Sequence, residues 1–509
     1  MNTRKKNLSA AFLMVLTFMA LFPPAALSSI ERESVATTID TAGDRIYDIK
    51  ETLLKNGFKT PGTAIVGWGH DDSNPSDIGP APTDIWAQQN VIGAAALLKN
   101  FQATADAESS SWATEDLWPR VRDMVDRTGT RGVRAHEDFP TTRKRAIDQF
   151  MFLEFVSESY SLSDSGAMYS AITAMLGHLD PFKANDTEGL YGKGDGDWWT
   201  MIEANLKYVD PQDEINTQHP LVKNSLWAAA GLSTFAQAVK GTQDDITFDY
   251  SSEALELAEN SIAFADAYCY DRLTGLYWED AYRQNQTEHA FQMEIQATAL
   301  LALARLAQAT QKEMYVTKAD ALIQSIIRYF YDSGRGGVYT SFNAATGEVE
   351  NVKRGWDNAL MAYAAIQLAI ARGLEEFNIG SFIRGKDQIT YFNIAVDLMN
   401  YMNNYHWRRS EDAGIRGYIE WVDRDGEYAS PPLEADTNRR ADTNMLALYN
   451  LAEIIYATRP WYVVYQMYLI VGGGLIGVIV LVSVLLYRRS QRGTKLGKTL
   501  RGILADEDD

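Results

Sequence analysis

Apolar positions along this chain recur at helical spacing, while strand-like alternation is confined to short runs. The pattern predicts helices over 40–56, 84–100, 141–160, 164–178, 197–208, 220–240, 251–268, 288–309, 313–331, 355–373, 387–405 and 436–457. No Ser/Pro linker or low-complexity tract separates them, so they read as one helical domain. LSTFAQAVK, ATALLALARLAQAT, ALMAYAAIQLAIA and MLALYNLAEIIYA are rich in Ala and Leu on nearly every face, as in helices buried on most sides. DLMNYMNNYHW, ALIQSIIRYFY and AFADAYCY carry a polar face and suit an outer layer. Inner and outer helices that alternate and close on themselves make an all-α toroid.

Between helices lies a loose repeat. YDRLTGLYW (270–278), YDSGRGGVY (331–339) and EDAGIRGYIEW (411–421) each set an acidic residue and turn-formers before glycine and then aromatic or β-branched residues, and NDTEGLY (185–191) is a shorter version. The unit is helix, glycine turn, small hairpin, helix. A helix hairpin of this kind buries one stripe of its surface, so several must stack to share a core.

The pattern GGVYTSFN…VKRGWDNALMAYA, with its echo GLYWED…QTEHAFQMEIQATALLALARL, resembles the six-hairpin (α/α)6 toroid superfamily, which includes many glycoside hydrolases and the N-acylglucosamine 2-epimerases. The likeness is clear over about 220–457 and rests on helix spacing alone over 40–210. It implies a central pocket, commonly for sugars, lined by the hairpin loops and the first turns of the inner helices.

Those expected first turns are polar and aromatic. They include Asp84 and Trp86, Asn224 and Trp227, Glu288 and His289, Arg354 with Trp356 and Asp357, and Asp436 with Arg439. Acidic residues at helix starts also serve as caps. Cleaving a glycosidic bond takes two carboxyl groups, one a proton donor and the other a base or nucleophile. Glu288 and Asp357 are the expected pair, with Asp72 as a further catalytic acid. Arg354 and Arg439 are expected to hold a charged or hydroxyl substituent, Asp84 and Asp436 to contact substrate, and Trp86, Trp278 and Trp356 to stack on sugar rings, core packing being the alternative for each indole.

The loop GWGHDDSNPSDIGPAPTD (67–84) reads foremost as a solvated acidic loop; calcium held by Asp71, Asp72 and Asp77 is the alternative, although they match no established calcium-loop spacing, and no other cofactor is expected. GKGDGDWW (192–199) is glycine-rich but lacks the Walker spacing, and its carboxylates would repel phosphate. The resembling epimerases use a pair of histidines on inner helices; here DTNRRADTNMLALYNLAEI has none, and His289 and His406 suit cap or surface roles.

The ends are of a different kind. MNTRKKN, an apolar run and PPAALSS follow the order of a secretory signal, with cleavage expected near Ser28. Residues 463–487 carry no charge and are long enough to cross a bilayer as a helix. Arg488, Arg489, Arg492, Lys495, Lys498 and Arg501 mark the following tail, 488–509, as cytoplasmic, which places 29–460 outside as a single-pass type I ectodomain. Gly473 and Gly477 form a GxxxG pair through which two spans would dimerise, packing-neutral glycine being the alternative.

The formal charge is −20; setting aside the signal (+3) and the tail (+2) leaves about −25 for the ectodomain. So acidic a surface disfavours nucleic acid and anionic lipid and is compatible with neutral substrates or cations. The single cysteine, Cys269, excludes an internal disulfide and a cysteine-based zinc site. The composite expectation is a membrane-tethered carbohydrate-active toroid, foremost a glycoside hydrolase; a non-catalytic glycan- or peptide-binding ectodomain and a sugar epimerase or isomerase are the alternatives.

Overall fold

In the computed structural model the described residues are 41–54, 87–126, 132–134, 143–176, 201–203, 222–279, 290–373, 386–409, 416–423 and 440–458. Those through Ala457 belong to one compact unit; a second, Phe377–Gly380 with Thr458–Asp509, contains only Thr458 among the described residues.

Among the described residues six helices form an inner layer: α2 (Ala87–Thr104), α4 (Ala146–Ser163), α6 (Val222–Val239), α9 (Met293–Thr310), α11 (Gly355–Ala371) and α13 (Ala441–Thr458). The others are α1 (41–54), α3 (107–123), α5 (Gly166–Leu176), the short α7 (Gln243–Phe248), α8 (Tyr250–Tyr268), α10 (Glu313–Tyr329) and α12 (Lys386–Tyr401). The inner helices are buried almost all round, whereas α10 buries one stripe from Tyr315 and Val316 to Ile323 and Ile326. This is the two-layer division that the Ala/Leu content implies.

Side chains trace the closure of the inner ring. Gln88 donates to Asp148 at 2.7 Å (α2 to α4), Thr234 to Glu154 (α6 to α4), Gln237 to the Arg305 carbonyl at 3.3 Å (α6 to α9) and Gln308 to the Gln367 carbonyl at 2.6 Å (α9 to α11). Asn450 donates to the Ala359 carbonyl at 2.8 Å (α13 to α11), and Lys99 pairs with Glu453, joining α2 to α13. The chain therefore forms an (α/α)6 toroid.

Where α4 and α6 meet, a Cβ on Gly231 would lie 2.4 Å from the Phe150 carbonyl oxygen, so glycine is required for the two backbones to approach. Gly231→Val is expected to cost about 1–3 kcal/mol as overpacking, read as a lower urea midpoint. An unchanged midpoint would show that the two helices separate freely.

The ring's axis is polar. Arg305 is buried, with Nε 2.9 Å from Glu154 Oε1 and Nη2 3.0 Å from Glu158 Oε2. The Tyr363 hydroxyl accepts from Arg305 Nη2 at 2.6 Å and donates to Glu154 at 2.9 Å, while the Tyr449 hydroxyl donates to Glu158. Burial pushes both glutamates up in pKa. For Glu158 the charges of Arg305 and Lys99 and the Tyr449 hydroxyl outweigh it and the net shift is down; for Glu154 burial wins and the net shift is up.

The two ends of the ring are built differently. Inner helices hand over to outer ones through tight turns, with Ala105, Asp164 and Gln311 left-handed at φ 59°, 52° and 57°. Outer helices return through β-strands: β1 (Val125–Asp126) pairs with β2 (Gly132–Val133), β3 (Arg143–Arg145) with β4 (Met201–Glu203), and β5 (Tyr270–Asp271) with β6 (Leu276–Tyr277). Strand β7 (Ala290–Gln292) pairs with β8 (Ser341–Asn343), which pairs with β9 (Glu348–Val349). Strand β10 (Val352–Arg354) pairs with β13 (Trp421–Asp423), and β11 (Trp407–Arg409) with β12 (Arg416–Tyr418). All are antiparallel, and they gather beside the N-termini of the inner helices. In the Gly-Gly turn before β8, Gly336 and Gly337 have φ of 81° and 75°, which a residue with a Cβ seldom adopts.

Three expectations need correcting. The helix expected at 197–208 is not formed at Met201–Glu203, which is strand β4, its backbone taken up by pairing across the sheet with β3. Residues 107–123 are helical although no helix is expected there. The helices expected from 288 and 436 begin at Met293 and Ala441, because strand β7 occupies 290–292 and Arg440 precedes the last helix. Among the described residues no helix is long and apolar enough to cross a membrane; the expected signal 1–28, the expected span 463–487 with its tail and the Gly473/Gly477 pair lie outside them.

Candidate active site

Each of four inner helices opens on the same device, an amide side chain that grips a preceding strand or, at Val338, an isolated β-bridge. Gln149 Oε1 accepts from the Val133 N–H at 2.6 Å and its Nε2 donates to the Val133 carbonyl at 2.7 Å. Gln296 does the same with Tyr277, Asn358 with Val338 and Asn444 with Tyr418. Each amide also donates to the carbonyl four residues before it: Arg145, Gln292, Arg354 and Arg440. Buried strand polar groups are thereby satisfied, and the residues just before each amide are fixed in direction.

Those fixed residues are charged. Arg145 forks onto Asp148 with two bonds of 2.7 Å. Glu294 Oε1 lies 2.6 Å from Lys223 Nζ and accepts from the Trp356 indole at 3.2 Å, and its Oε2 lies 3.5 Å from Arg354 Nη1. Arg354 Nε donates to Glu420 Oε1 at 2.6 Å, with the guanidinium carbon 5.3 Å from the centre of the Trp421 ring. Glu420 Oε2 accepts from Thr443 at 2.7 Å, and Arg440 pairs with Asp442 and lies 3.9 Å from Glu420. Strand register explains part of this convergence, since Arg354 and Trp421 are paired residues of β10 and β13.

Asp357 stands apart within this set. It is 1% exposed, and neither carboxyl oxygen makes a well-formed hydrogen bond to protein. Its closest ionic neighbour, Arg354 Nη1, is 4.0 Å away. Burial pushes its pKa up to about 8; Glu294 and Glu420 add to the rise, while Arg354 and the Thr340 hydroxyl oppose it. Asp357 therefore keeps its proton at neutral pH. Glu294 is the opposite case: burial raises its pKa, but Lys223, Arg354 and the Trp356 indole outweigh it and the net shift is down. Two carboxyl groups against one arginine are thus held in different protonation states, as acid–base chemistry requires.

Of the residues expected from sequence, Arg354, Trp356 and Asp357 come together here. Trp356 is 3% exposed and spends its indole N–H on Glu294, so it has no open face for a sugar ring and instead orients a carboxylate. Trp278 is buried with its ring 3.8 Å from that of Phe291, which is core packing rather than stacking on ligand. Asp72, Asp84, Trp86, Glu288, Asp436 and Arg439 lie outside the described residues, as do Asp71 and Asp77 of the expected calcium loop and His289. Among the described residues no group of three or more His, Cys, Asp or Glu is placed to hold a metal ion.

Glu294, Glu420 and Arg440 are site residues that the sequence reading missed. A signal was present: RAIDQ, QMEIQ, RGWDN and RADTN align on the gripping amide, with arginine four residues before it in three of the four.

No protein-family model and no curated protein matches the chain. Solved structures do match in fold. The chain is similar to a D-mannose isomerase (14% identity, TM-score 0.57, covering 85% of this chain and 99% of that one). It is also similar to the cellobiose 2-epimerase of Bacillus thermoamylovorans B4167 (9%, 0.58, 82% and 99%). A third match is a GH76 α-mannanase of Bacteroides thetaiotaomicron (12%, 0.57, 84% and 98%). At these identities the likeness shows the shared (α/α)6 fold.

Proposed function

We propose that this chain is a carbohydrate-active enzyme that cleaves glycosidic bonds, with Asp357 as the proton donor to the leaving oxygen. The observation that carries this reading is the buried Asp357 carboxyl, protonated at neutral pH and without a well-formed protein hydrogen bond, at the start of an inner helix. A capping role does not account for it, because neither oxygen takes a helix N–H. Fold likeness to sugar-processing enzymes of two classes, a mannanase and sugar isomerases or epimerases, supports a carbohydrate substrate.

Between those classes, the described site favours hydrolysis because it is made of carboxylates and their cationic partners. His406, the one histidine among the described residues, is buried rather than at the surface as expected, with Nδ1 2.8 Å from the Ile419 carbonyl, where it supports the β11–β12 hairpin. Arg440, 37% exposed at its side chain, and Trp421 are the groups through which the site would hold sugar hydroxyls or a charged substituent. Asp72, Asp84, Trp86, Glu288, Asp436 and Arg439 are retained as contributors to the same pocket.

The charge and hydropathy order of 1–28 and of 463–487 supports a proposed cell-surface location, tethered through 463–487 with the toroid outside. Protease added to intact cells is expected to degrade the chain before about residue 460 and spare the basic tail; a protected toroid would reverse the orientation. Function is tested by incubating the purified chain with mannans, β-glucans and cellobiose. Release of new reducing ends is the expected result. Binding without release would make the protein a glycan-binding module, and interconversion of free hexoses would make it an isomerase.

A further inference from the structure

The geometry points to Glu294 as the second carboxylate of the site, the nucleophile that attacks the anomeric carbon while Asp357 protonates the leaving oxygen; this rests on the glycoside-cleaving reading above. Three carboxyl groups among the described residues border Arg354, and their environments separate them. Glu420 is as buried as Asp357 but has both oxygens engaged, Oε1 by Arg354 and Oε2 by Thr443, so it positions Arg354 and has no oxygen left for a substrate. Asp357 carries the proton. Glu294 is 22% exposed at its side chain. Its Oε1 takes Lys223 and the Trp356 indole, leaving Oε2 with Arg354 at 3.5 Å, too long for a well-formed hydrogen bond.

Spacing agrees with this assignment. Glu294 Oε2 and Asp357 Oδ1 lie 3.5 and 4.0 Å from the same Arg354 Nη1. Those two oxygens are therefore at most about 7.5 Å apart, which accommodates the roughly 5–5.5 Å of retaining glycosidases and excludes the upper part of the roughly 6.5–9.5 Å range of inverting ones.

The chemistry balances in two steps. In the first, Glu294 Oε2 forms a bond to the anomeric carbon as the bond to the glycosidic oxygen breaks. That oxygen takes the Asp357 proton, and the aglycone leaves as an alcohol. In the second, Asp357, now a carboxylate, takes a proton from water as the water oxygen bonds to the anomeric carbon and Glu294 departs. One water is consumed and the anomeric configuration is retained.

Charge supports the order of events. A carboxylate held ionised by Lys223 and Arg354 is a weak base toward water, but it is ready as a nucleophile and leaves well. Around Asp357, burial, Glu294 and Glu420 favour the proton, while Arg354 and Thr340 oppose it. Esterification of Glu294 removes one of the negative charges, so Asp357 becomes more acidic at the intermediate and can act there as the base.

The test uses the full chain with 2-deoxy-2-fluoro-mannosyl and 2-deoxy-2-fluoro-glucosyl fluorides, which form the first intermediate and release it slowly. Mass spectrometry of the digested protein is expected to place the added sugar on Glu294, and NMR of the initial product of a cleaved glycan to show retained configuration. Glu294→Gln is expected to lower turnover on the order of 10³-fold, and azide is expected to restore turnover in Glu294→Ala, with a glycosyl azide as product. A label on another residue, an inverted product, or full activity in Glu294→Gln would overturn the assignment while leaving glycoside cleavage standing. A chain that cleaves no glycoside would overturn both.

Discussion

Asp357→Asn is expected to lower turnover by about 10²–10⁴-fold while raising the melting temperature at neutral and alkaline pH. The two effects share a cause, a carboxyl group kept in a site that disfavours its charge. Below pH 4 Asp357 is protonated both folded and unfolded, and it adds no pH dependence. Between about 4 and about 8 the unfolded chain gives up this proton and the folded chain keeps it, so stability falls as pH rises through that window. A difference of about four pKa units corresponds to a penalty on the order of 5 kcal/mol once pH exceeds 8. Asparagine cannot ionise, so the variant should lose this slope. Thermal melts at pH 4 and pH 8.5 check it: equal midpoints at the lower pH, and a higher midpoint for Asp357→Asn at the upper. A cap would behave differently: asparagine caps a helix about as well as aspartate, so the variant would keep wild-type midpoints at both pH values and full activity.

Arg305→Met should be the most damaging substitution away from the helix N-termini, costing about 3–5 kcal/mol. Methionine fills much of the same volume, so the loss is one of charge. Glu154 and Glu158 would be left buried without the guanidinium that faces both, and the Tyr363 hydroxyl would lose its donor. Glu158 has Lys99 and Tyr449 besides Arg305, so Glu154 bears most of the penalty. Arg305→Met with Glu154→Gln and Glu158→Gln should recover a large part, since neutral amides need no counter-charge. Urea midpoints of the single and triple variants measure both. A single variant within 1 kcal/mol of wild type would mean that water reaches the axis and screens the glutamates.

Helices whose burial is set by their own composition were legible in the sequence. The Ala/Leu run after Arg354 predicts 355–373 and forms Gly355–Ala371; that after Pro220 predicts 220–240 and forms Val222–Val239. What could not be read there depends on partners distant in sequence. Met201–Glu203 sits in a stretch of helical periodicity yet pairs with Arg143–Arg145. Glu420 sits in no helix and reaches the site because β13 pairs with β10. Arg354, Trp356 and Asp357 were found from the polar start of one helix, but Trp356 was given the wrong task, because only packing shows that its ring is covered. Glu294 was missed through a boundary error: with the helix begun at 288, its first-turn carboxylate is Glu288, whereas the helix begins at Met293 and presents Glu294.

The gripping amides have a consequence for how the protein is made. They join residues 16, 19, 20 and 26 positions apart, so each can form soon after its own strand and first helical turn have left the ribosome. Loops this short cost little entropy to close and fold early. Closure between α2 and α13 is of another order, because Lys99 must wait for Glu453 near the end of the chain. Until then the nascent protein is an open arc of preformed hairpin-and-helix units. Glu158 on its axis still lacks Tyr449, and the surfaces of α2 and α11 that face α13 are uncovered. Synthesis thus passes through a long interval in which local structure is complete and the ring is not, and the last inner helix converts a string of units into a single cooperative body.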